Sequence, residues 1–376
     1  MNGLVPWELF QDIQYTGEPP RNIIIQGGWI EEEHDSIIKK KDEISSFEKV
    51  NEWELRKKIT NPYEAIFSTS DTKVFPSIAL ANPLSRSYFK MVEMVYVAGL
   101  WESTGLSPFI SSHVCEGPGG FLQCIVEQAK ARNICYKNSY AMTLKSTKSQ
   151  IPGWKRSSRF LKKHPEIQLL YGNDMTGNIL SKDNQDFFCL RAGESSVFTA
   201  DGGFDFSTDY AKQEESSFLL VVASITIGLR CLRVGGIMIV KLFDIYSPAM
   251  VDLIVGTGAC FQSFLLYKPA TSRPCNSERY FIGKGYKKDA REWIEHLQKA
   301  QTMHVERPIT RLCDLAAYSP YVEAIKEQIE WQERLQVDSI ERAMFMTKED
   351  IGCYVKDAIE KSIEWCTAFS VPHSVI

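Results

Sequence analysis

Between about residues 85 and 285, short apolar segments alternate with longer amphipathic ones. The longer segments predict helices, notably over Phe121–Arg132, Glu214–Leu232 and Pro248–Phe261. Alternating strands and helices fold into a mostly parallel sheet with helices on both faces. The last two strands are joined only by a loop, which predicts an antiparallel pair at the sheet edge. The seven predicted strands lie at Phe109–Cys115, Tyr140–Leu144, Ile167–Tyr171, Val197–Ala200, Gly236–Lys241, Ser263–Tyr267 and Tyr280–Gly283.

The regions on either side of this pattern differ from it. With 376 residues, 44% of them hydrophobic, the chain can bury one large core or two modest ones. Residues 1–60 are charged and mixed, which predicts a helical or irregular N-terminal extension. Residues 61–290 form the predicted α/β domain. Residues 291–376 carry apolar stripes at four-residue spacing, such as Tyr321, Ile325 and Ile329, and are predicted to be a helical extension packed on that domain.

Several classes of protein are excluded by composition. The chain contains no apolar run of about 18 residues, so no membrane span is predicted. The start MNGLVPWELFQDIQY lacks the basic and apolar regions of a secretory signal. The ten cysteines form no C-x-x-C pair and no Cys/His cluster of zinc spacing. We therefore expect reduced thiols in an intracellular protein, and no metal site.

The first strand ends in EGPGGF, residues Glu116 to Phe121. In doubly wound sheets, ligands bind outside the carboxyl ends of the strands. Glycines there serve either a tight bend or the close approach of a ligand, and the turn alone does not distinguish these. The turn matches neither G-x-G-x-x-G nor a G-K-[ST] phosphate loop. An acidic residue before the glycines favours a ligand with an amino-acid or ribose group, and S-adenosylmethionine fits that description.

Charged residues follow three further strands. Asp174 and Asp201 come after the third and fourth strands, and Lys241 closes the fifth. Glu278 opens the last strand, and Lys90 lies in a helix that precedes the sheet. Each of them is also consistent with an ordinary surface charge or ion pair. Burial at a strand end predicts a lowered pKa for Lys241.

These residues carry a resemblance to a known family. The sequence resembles the FtsJ-type (RrmJ-like) methyltransferases, and more closely the eukaryotic and viral cap-specific mRNA (nucleoside-2'-O-)-methyltransferases. The resemblance runs from NPYE at 61–64 to GKGY at 283–286, and is most specific in KPATSRPCNSERY at 268–280 and AMTLK at 141–145. Cap enzymes tend to carry Asn-Arg five residues before the first lysine of their tetrad, whereas this chain has Ser85-Arg86.

The resemblance implies a Rossmann-like fold, a cofactor and a set of site residues. It implies a catalytic tetrad of Lys90, Asp201, Lys241 and Glu278, in which Lys241 accepts or steers the proton of a ribose 2'-hydroxyl without a metal. It implies S-adenosyl-L-methionine as cofactor, with Asp174 at the adenine. The implied cofactor-binding residues are Glu116, Gly117, Pro118, Gly119, Gly120, Phe121, Thr143, Leu144, Asp174 and Asp201.

The implied substrate is the 5' end of 7-methylguanosine-capped mRNA, methylated at the first transcribed nucleotide to convert cap 0 into cap 1. Lys268, Ser272, Arg273 and Asn276 would lie on the RNA side, with Lys268 facing phosphate. Phe204, Phe206 and Tyr210 are candidates for base stacking. Other capping proteins or RNA polymerase are candidate partners, and neither DNA nor a membrane is expected. The implied location is the nucleus, or the cytoplasm for an enzyme of a cytoplasmic virus.

Four alternatives stay open. The chain could methylate ribosomal or transfer RNA, methylate the second nucleotide of the cap, bind capped RNA without catalysis, or act on a small molecule. The basic run KRSSRFLKKH at 155–164 is consistent with a solvated helix face or with a track for RNA phosphates.

Overall fold

A computed structural model describes residues 6, 11–14, 26–27, 35–48, 52–68, 74–102, 107–145, 153–203, 213–287 and 290–374. Its strands are β1 (Ile13–Gln14), β2 (Gln26–Gly27), β3 (Phe109–Val114), β4 (Tyr136–Met142), β5 (Ile167–Leu170), β6 (Ser195–Ala200), β7 (Leu232–Leu242), β8 (Phe261–Tyr267), β9 (Arg279–Tyr286) and β10 (Ile309–Arg311). Its α-helices are α1 (Asp35–Glu48), α2 (Trp53–Ile59), α3 (Ser87–Ala98), α4 (Gly120–Ala131), α5 (Ser158–Lys163), α6 (Lys182–Ala192), α7 (Gln213–Cys231), α8 (Pro248–Gly258), α9 (Arg291–Glu306), α10 (Ser319–Phe345) and α11 (Ile351–Ala368).

The described strands form one large sheet in the order β1-β8-β9-β7-β6-β3-β4-β5. Strands β5, β4, β3, β6 and β7 are parallel, while β9 is antiparallel to both β7 and β8. The chain runs outward from β3 through β4 to β5 and then returns to the other side of β3 as β6. Loops after β3 and β6 therefore diverge, and the crevice between them is where such sheets bind ligands.

All seven predicted strands are present, so the predicted fold class is confirmed. The sheet has an eighth strand that the sequence did not indicate, because β1 contributes only Ile13 and Gln14 to the outer side of β8. A pairing of two residues leaves no periodic pattern to recognise. A separate two-stranded ribbon joins β2 to β10.

The two faces of the sheet are covered by different helices. Along β7, Met238 and Val240 belong to a core shared with α7 and α8, whereas Ile237 and Ile239 belong to a core shared with α3 and α4. Successive side chains of a strand point to opposite faces. Lys241 consequently lies on the face of Ile239, towards α3.

Residues outside 61–290 also contribute to these cores. The core on the α7 face includes Ile13 from the N-terminal segment and Trp293 and Ile329 from the C-terminal one. Trp365 of α11 is fully buried in the core on the α3 face. All three predicted segments therefore share hydrophobic cores, and the boundaries at 60 and 290 stay a prediction. Within the ranges given above, no helix is long and apolar enough to cross a membrane.

Candidate active site

Asp201 and Lys241 lie side by side where β6 and β7 end. Ala200 pairs with Val240 in the sheet, so the next residues are also neighbours. The Lys241 Nζ lies 3.1 Å from Asp201 Oδ1 and 3.2 Å from the Asp201 carbonyl oxygen. It also lies 5.5 Å from the centroid of the Phe243 ring. The strand register places these two predicted residues in contact.

Glu278 joins the two predicted lysines. Its Oε1 lies 2.6 Å from Lys90 Nζ, and its Oε2 lies 3.6 Å from Lys241 Nζ. Lys90 projects from α3, which covers this face of the sheet, and Glu278 directly precedes β9. All four side chains are between 11% and 15% exposed. Charges from four elements thus form one continuous, partly buried cluster, which we call the tetrad.

The pKa of Lys241 is raised, contrary to the sequence-based expectation. Burial lowers the pKa of this lysine, as expected, but the attraction of Asp201 and Glu278 is larger and the net shift is upward. Burial likewise raises the pKa of Glu278, yet Lys90 and Lys241 bring it well below its ordinary range. The tetrad therefore favours a charged Lys241 and a charged Glu278.

Two further side chains orient the carboxylates of the tetrad. The sequence did not identify either of them in this role. The Tyr280 hydroxyl donates to Asp201 Oδ1 at 2.9 Å, and Tyr280 pairs with Lys241 across β7 and β9. The Ser272 hydroxyl donates to Glu278 Oε1 at 2.9 Å. Ser272 was predicted to lie on the RNA side, but its side chain is buried and contacts the tetrad.

Lys268 is placed differently from the expected position facing phosphate. The residue is 7% exposed, and its ammonium donates to the carbonyl oxygens of Asn276 and Glu278, the latter at 2.8 Å. Burial lowers its pKa to about 7, reinforced by the charges of Arg279 and Lys90. Lys268 therefore closes the loop of residues 268–278 at its base, and a phosphate contact stays an untested prediction.

Arg273 is likewise engaged within the protein. Its guanidinium donates to both carboxylate oxygens of Glu64, at 3.0 and 2.9 Å. Glu64 is buried and also lies 3.2 Å from Arg86. Asn276 is half-buried, and its backbone N–H donates to the Arg273 carbonyl oxygen at 3.0 Å. This arrangement anchors the loop to the NPYE segment.

Glu93 fixes the same loop from α3. It is fully buried and accepts hydrogen bonds from the Tyr267 hydroxyl at 2.8 Å and from the backbone N–H groups of Ala270 and Thr271. Burial raises its pKa above the ordinary range. Glu93 lies three residues after Lys90 on the helix. One helix therefore supplies a tetrad lysine and holds the loop that carries Glu278.

The turn after β3 requires glycine for two reasons. Gly119 has φ +100°, and a Cβ there would lie 2.9 Å from the Trp154 ring. A Cβ on Gly120 would lie 2.4 Å from the Ser85 hydroxyl and closer still to Ser87. These contacts show that tight packing demands the last two glycines, whatever ligand the turn accepts. Gly117 and Pro118, joined by a cis peptide bond, are half-buried.

Glu116 is held by polar side chains of the sheet that sequence reasoning did not single out. The Thr199 hydroxyl donates to its Oε1, and its Oε2 lies 3.3 Å from His113 Nδ1. The Oε2 atom is buried and accepts no hydrogen bond. A buried carboxylate oxygen without a donor fits a site for an ammonium or hydroxyl group of a ligand. Phe121, by contrast, is fully buried against Tyr280, and its contact with the cofactor stays a prediction.

Asp174 and the loop after β4 lie together at the far side of the crevice. The Lys145 backbone N–H donates to the Thr176 carbonyl oxygen at 2.7 Å, which ties the two loops. Asp174 is exposed, and hydrogen bonds from Thr176 and Asn184, all to Oδ1, lower its pKa. Thr143 is buried and Leu144 is 39% exposed.

Some predictions fall outside the described residues. Phe204, Phe206 and Tyr210, the candidates for base stacking, lie in the segment 204–212, which is not described. Within the part of the chain that is described, no group of three or more His, Cys, Asp or Glu side chains could hold a metal ion.

The sequence matches the model of the FtsJ-like methyltransferase family over residues 83–286, more than half of the chain. The chain belongs to that family. The match includes every residue of the tetrad and the turn after β3.

Its curated relatives include cap enzymes. The cap-specific mRNA (nucleoside-2'-O-)-methyltransferase 1 of Trypanosoma brucei brucei is 29% identical over 245 residues, 63% of this chain and 64% of that protein. The protein of the same name in Trypanosoma cruzi is 26% identical over 68% of this chain and 73% of that protein. The Homo sapiens protein of that name is 32% identical over 48% of this chain but only 22% of its own length.

Proposed function

We propose that this protein transfers a methyl group from S-adenosyl-L-methionine to the ribose 2'-oxygen of the first transcribed nucleotide of 7-methylguanosine-capped mRNA. The observation that carries the proposal is the tetrad, with its two lysines held on Glu278 beside Asp201 at the carboxyl edge of the sheet. The names of the trypanosomal and human relatives support the choice of capped mRNA. The proposed location is the nucleus, or the cytoplasm if the chain is that of a cytoplasmic virus.

The residues of the crevice fit the proposed cofactor. Glu116 Oε2, which accepts no hydrogen bond, suits the ammonium group of a methionine moiety, and the half-buried Gly117 and Pro118 follow it directly. Asp174 Oδ2, opposite the oxygen engaged by Thr176 and Asn184, suits the adenine amino group. When bound, S-adenosylmethionine supplies the methyl group as an already activated sulfonium.

The remaining task of the protein is to orient the 2'-hydroxyl and to accept its proton. Lys241 is the proposed acceptor, because its Nζ lies at the centre of the tetrad and contacts both carboxylates. Asp201 and Glu278 fix its direction, and Lys90 neutralises Glu278. Since these carboxylates stabilise the charged amine, Lys241 must lose a proton before it can act. The tetrad titrates as a coupled unit.

We expect Asp174→Asn to raise the Kd of S-adenosylmethionine about 10- to 100-fold, the value of one hydrogen bond to a charged group. Asparagine keeps an oxygen for the bonds from Thr176 and Asn184 but replaces Oδ2 with an amide that cannot accept from adenine. Calorimetric titration measures the change. Asp183→Asn, on the exposed first turn of α6, is the control. An unchanged Kd would remove Asp174 from the cofactor site.

The proposed function predicts that methyl transfer depends on the cap. Two RNAs of identical sequence, one capped with 7-methylguanosine and one with a 5' triphosphate, are incubated with labelled S-adenosylmethionine. We expect label only on the capped RNA, at the 2'-oxygen of the first nucleotide, as mapped by nuclease digestion and mass spectrometry. Label on the second nucleotide would instead define a cap 2 enzyme.

Two other outcomes would overturn the proposal. Equal labelling of both RNAs would identify a general RNA 2'-O-methyltransferase, with ribosomal and transfer RNA as the next substrates. Tight binding of capped RNA without transfer would identify a cap-binding subunit. A subunit that only binds capped RNA would not require a tetrad in which every carboxylate contacts a lysine.

A further inference from the structure

Five cations line one side of the segment that follows the β4 loop. They lie in the 3₁₀ turn at Trp154–Ser157 and in helix α5, and all five are exposed. In the described part of the chain, none of them has an ion-pair partner. We call this set the basic strip: Lys155, Arg156, Arg159, Lys162 and Lys163.

The spacing of the strip is that of one helix face. Arg159 is three or four residues from each of the other four, and helical side chains at that spacing lie on the same face. The opposite face is apolar, with Trp154 buried and Phe160 and Leu161 packed beside it against α4 and β5. The segment is therefore amphipathic, with positive charge rather than mixed charge on its outer side. A merely solvated face has no need of a single sign, and the whole chain carries a net charge of -4.

The segment is fixed to the turn after β3. The Ser157 hydroxyl donates to the carbonyl oxygen of Pro118, and the Trp154 ring packs against Gly119. From there α5 runs towards the start of β5 at Ile167, away from the carboxyl edge of the sheet. The strip therefore begins beside the candidate active site and leads away from it over roughly 12 Å.

We propose that the basic strip binds the phosphate backbone of the RNA downstream of the cap. This inference rests on the proposed function and extends it to the body of the substrate. Single strands are held by cations along their backbone, and such contacts are independent of sequence. The strip would therefore strengthen binding of longer capped RNAs of any sequence and contribute little to the binding of a short one.

The test uses the triple variant Lys155→Ala, Arg159→Ala and Lys163→Ala, which removes one cation from each turn. Binding of a capped trinucleotide and of a capped RNA of about 20 nucleotides is measured by fluorescence anisotropy at several salt concentrations. Methyl transfer to both RNAs is measured in parallel. The matched control, Arg291→Ala, Lys299→Ala and Arg307→Ala, removes three exposed cations from α9 and the residue after it.

We expect the strip variant to weaken binding of the longer RNA about tenfold or more and to reduce its salt slope by about 2, since each single-strand phosphate contact contributes about 0.7. Its kcat/KM for the capped trinucleotide should stay at the wild-type value. Unchanged binding of the longer RNA, or equal losses in both triple variants, would leave the strip a solvated surface. Absence of transfer to either RNA by the wild type would instead overturn the proposed function, while the binding data would still decide the role of the strip.

Discussion

Replacing Lys241 by alanine is expected to lower the rate of methyl transfer to capped RNA by a factor of about 10²–10⁴, the usual contribution of a positioned proton acceptor. The change removes the amine that contacts both Asp201 and Glu278, whereas the turn after β3 is left intact. The Kd of S-adenosylmethionine should therefore change little. Single-turnover transfer and calorimetric titration measure the two quantities on the same preparation.

The variant Lys241→Arg distinguishes proton acceptance by Lys241 from a purely electrostatic role of its positive charge. Arginine keeps the positive charge beside Asp201 and Glu278 but is not deprotonated at accessible pH. If Lys241 accepts the proton, the arginine variant should be about as slow as the alanine variant. An arginine variant with most of the wild-type rate would show that charge alone suffices, and would remove the acceptor role.

The pH dependence follows from the same geometry. Because the carboxylates raise the pKa of Lys241, its neutral fraction in the free enzyme increases tenfold per pH unit through the neutral range. The logarithm of kcat/KM should therefore rise with a slope near one from neutral into alkaline pH. A profile that is flat across neutral pH would contradict a neutral Lys241 as the reactive form.

Asp201 and Lys241 could be placed at one edge of the sheet because strand ends can be located from apolar runs, whereas Lys90 and Glu278 joined them only through the family resemblance. Asp201 and Lys241 each follow or close such a run, and parallel neighbours end at one edge of the sheet. The direction of the Lys241 pKa shift could not be predicted in this way. Burial is evident from the sequence, but the opposing attraction depends on distances of 3.1 and 3.6 Å to two carboxylates, which only the fold supplies.

The residues that support the site are less clearly indicated by the sequence. Glu93 is an acidic residue in the otherwise apolar part of α3, and a buried charge in such a helix indicates a specific partner. Ser111, Ser112 and His113 are three consecutive polar residues in β3, and buried polar side chains in a strand indicate specific partners. Neither pattern identifies the partner, since Ala270, Thr271 and Thr199 come from distant parts of the sequence. The roles of such residues depend on tertiary contacts.

The second large effect is expected at Lys268, whose ammonium is bound to the protein backbone. Its ammonium joins the start of the 268–278 loop to the carbonyl oxygens of Asn276 and Glu278, and so fixes the backbone from which the Glu278 side chain reaches Lys90 and Lys241. Methionine has a similar length but cannot donate these bonds. We expect Lys268→Met to reduce kcat roughly 10- to 100-fold, the scale of a small displacement of a catalytic group, with the Kd of S-adenosylmethionine unchanged.

The pH dependence of stability and the value of kcat together distinguish a purely structural Lys268 from one that positions Glu278. The folded-state pKa of Lys268, about 7, lies below its unfolded value, so the folded protein binds fewer protons than the unfolded chain above that pH. Stability should therefore rise from about pH 7 towards pH 10 by up to about 1.4 kcal/mol per unit, and this contribution should vanish in Lys268→Met. Lys284→Met, on β9 but paired with Asp12 at 2.9 Å, is the matched control and should preserve both kcat and the stability slope. If Lys268→Met lost the stability slope yet kept the wild-type kcat, the lysine would hold the loop without positioning Glu278 for catalysis.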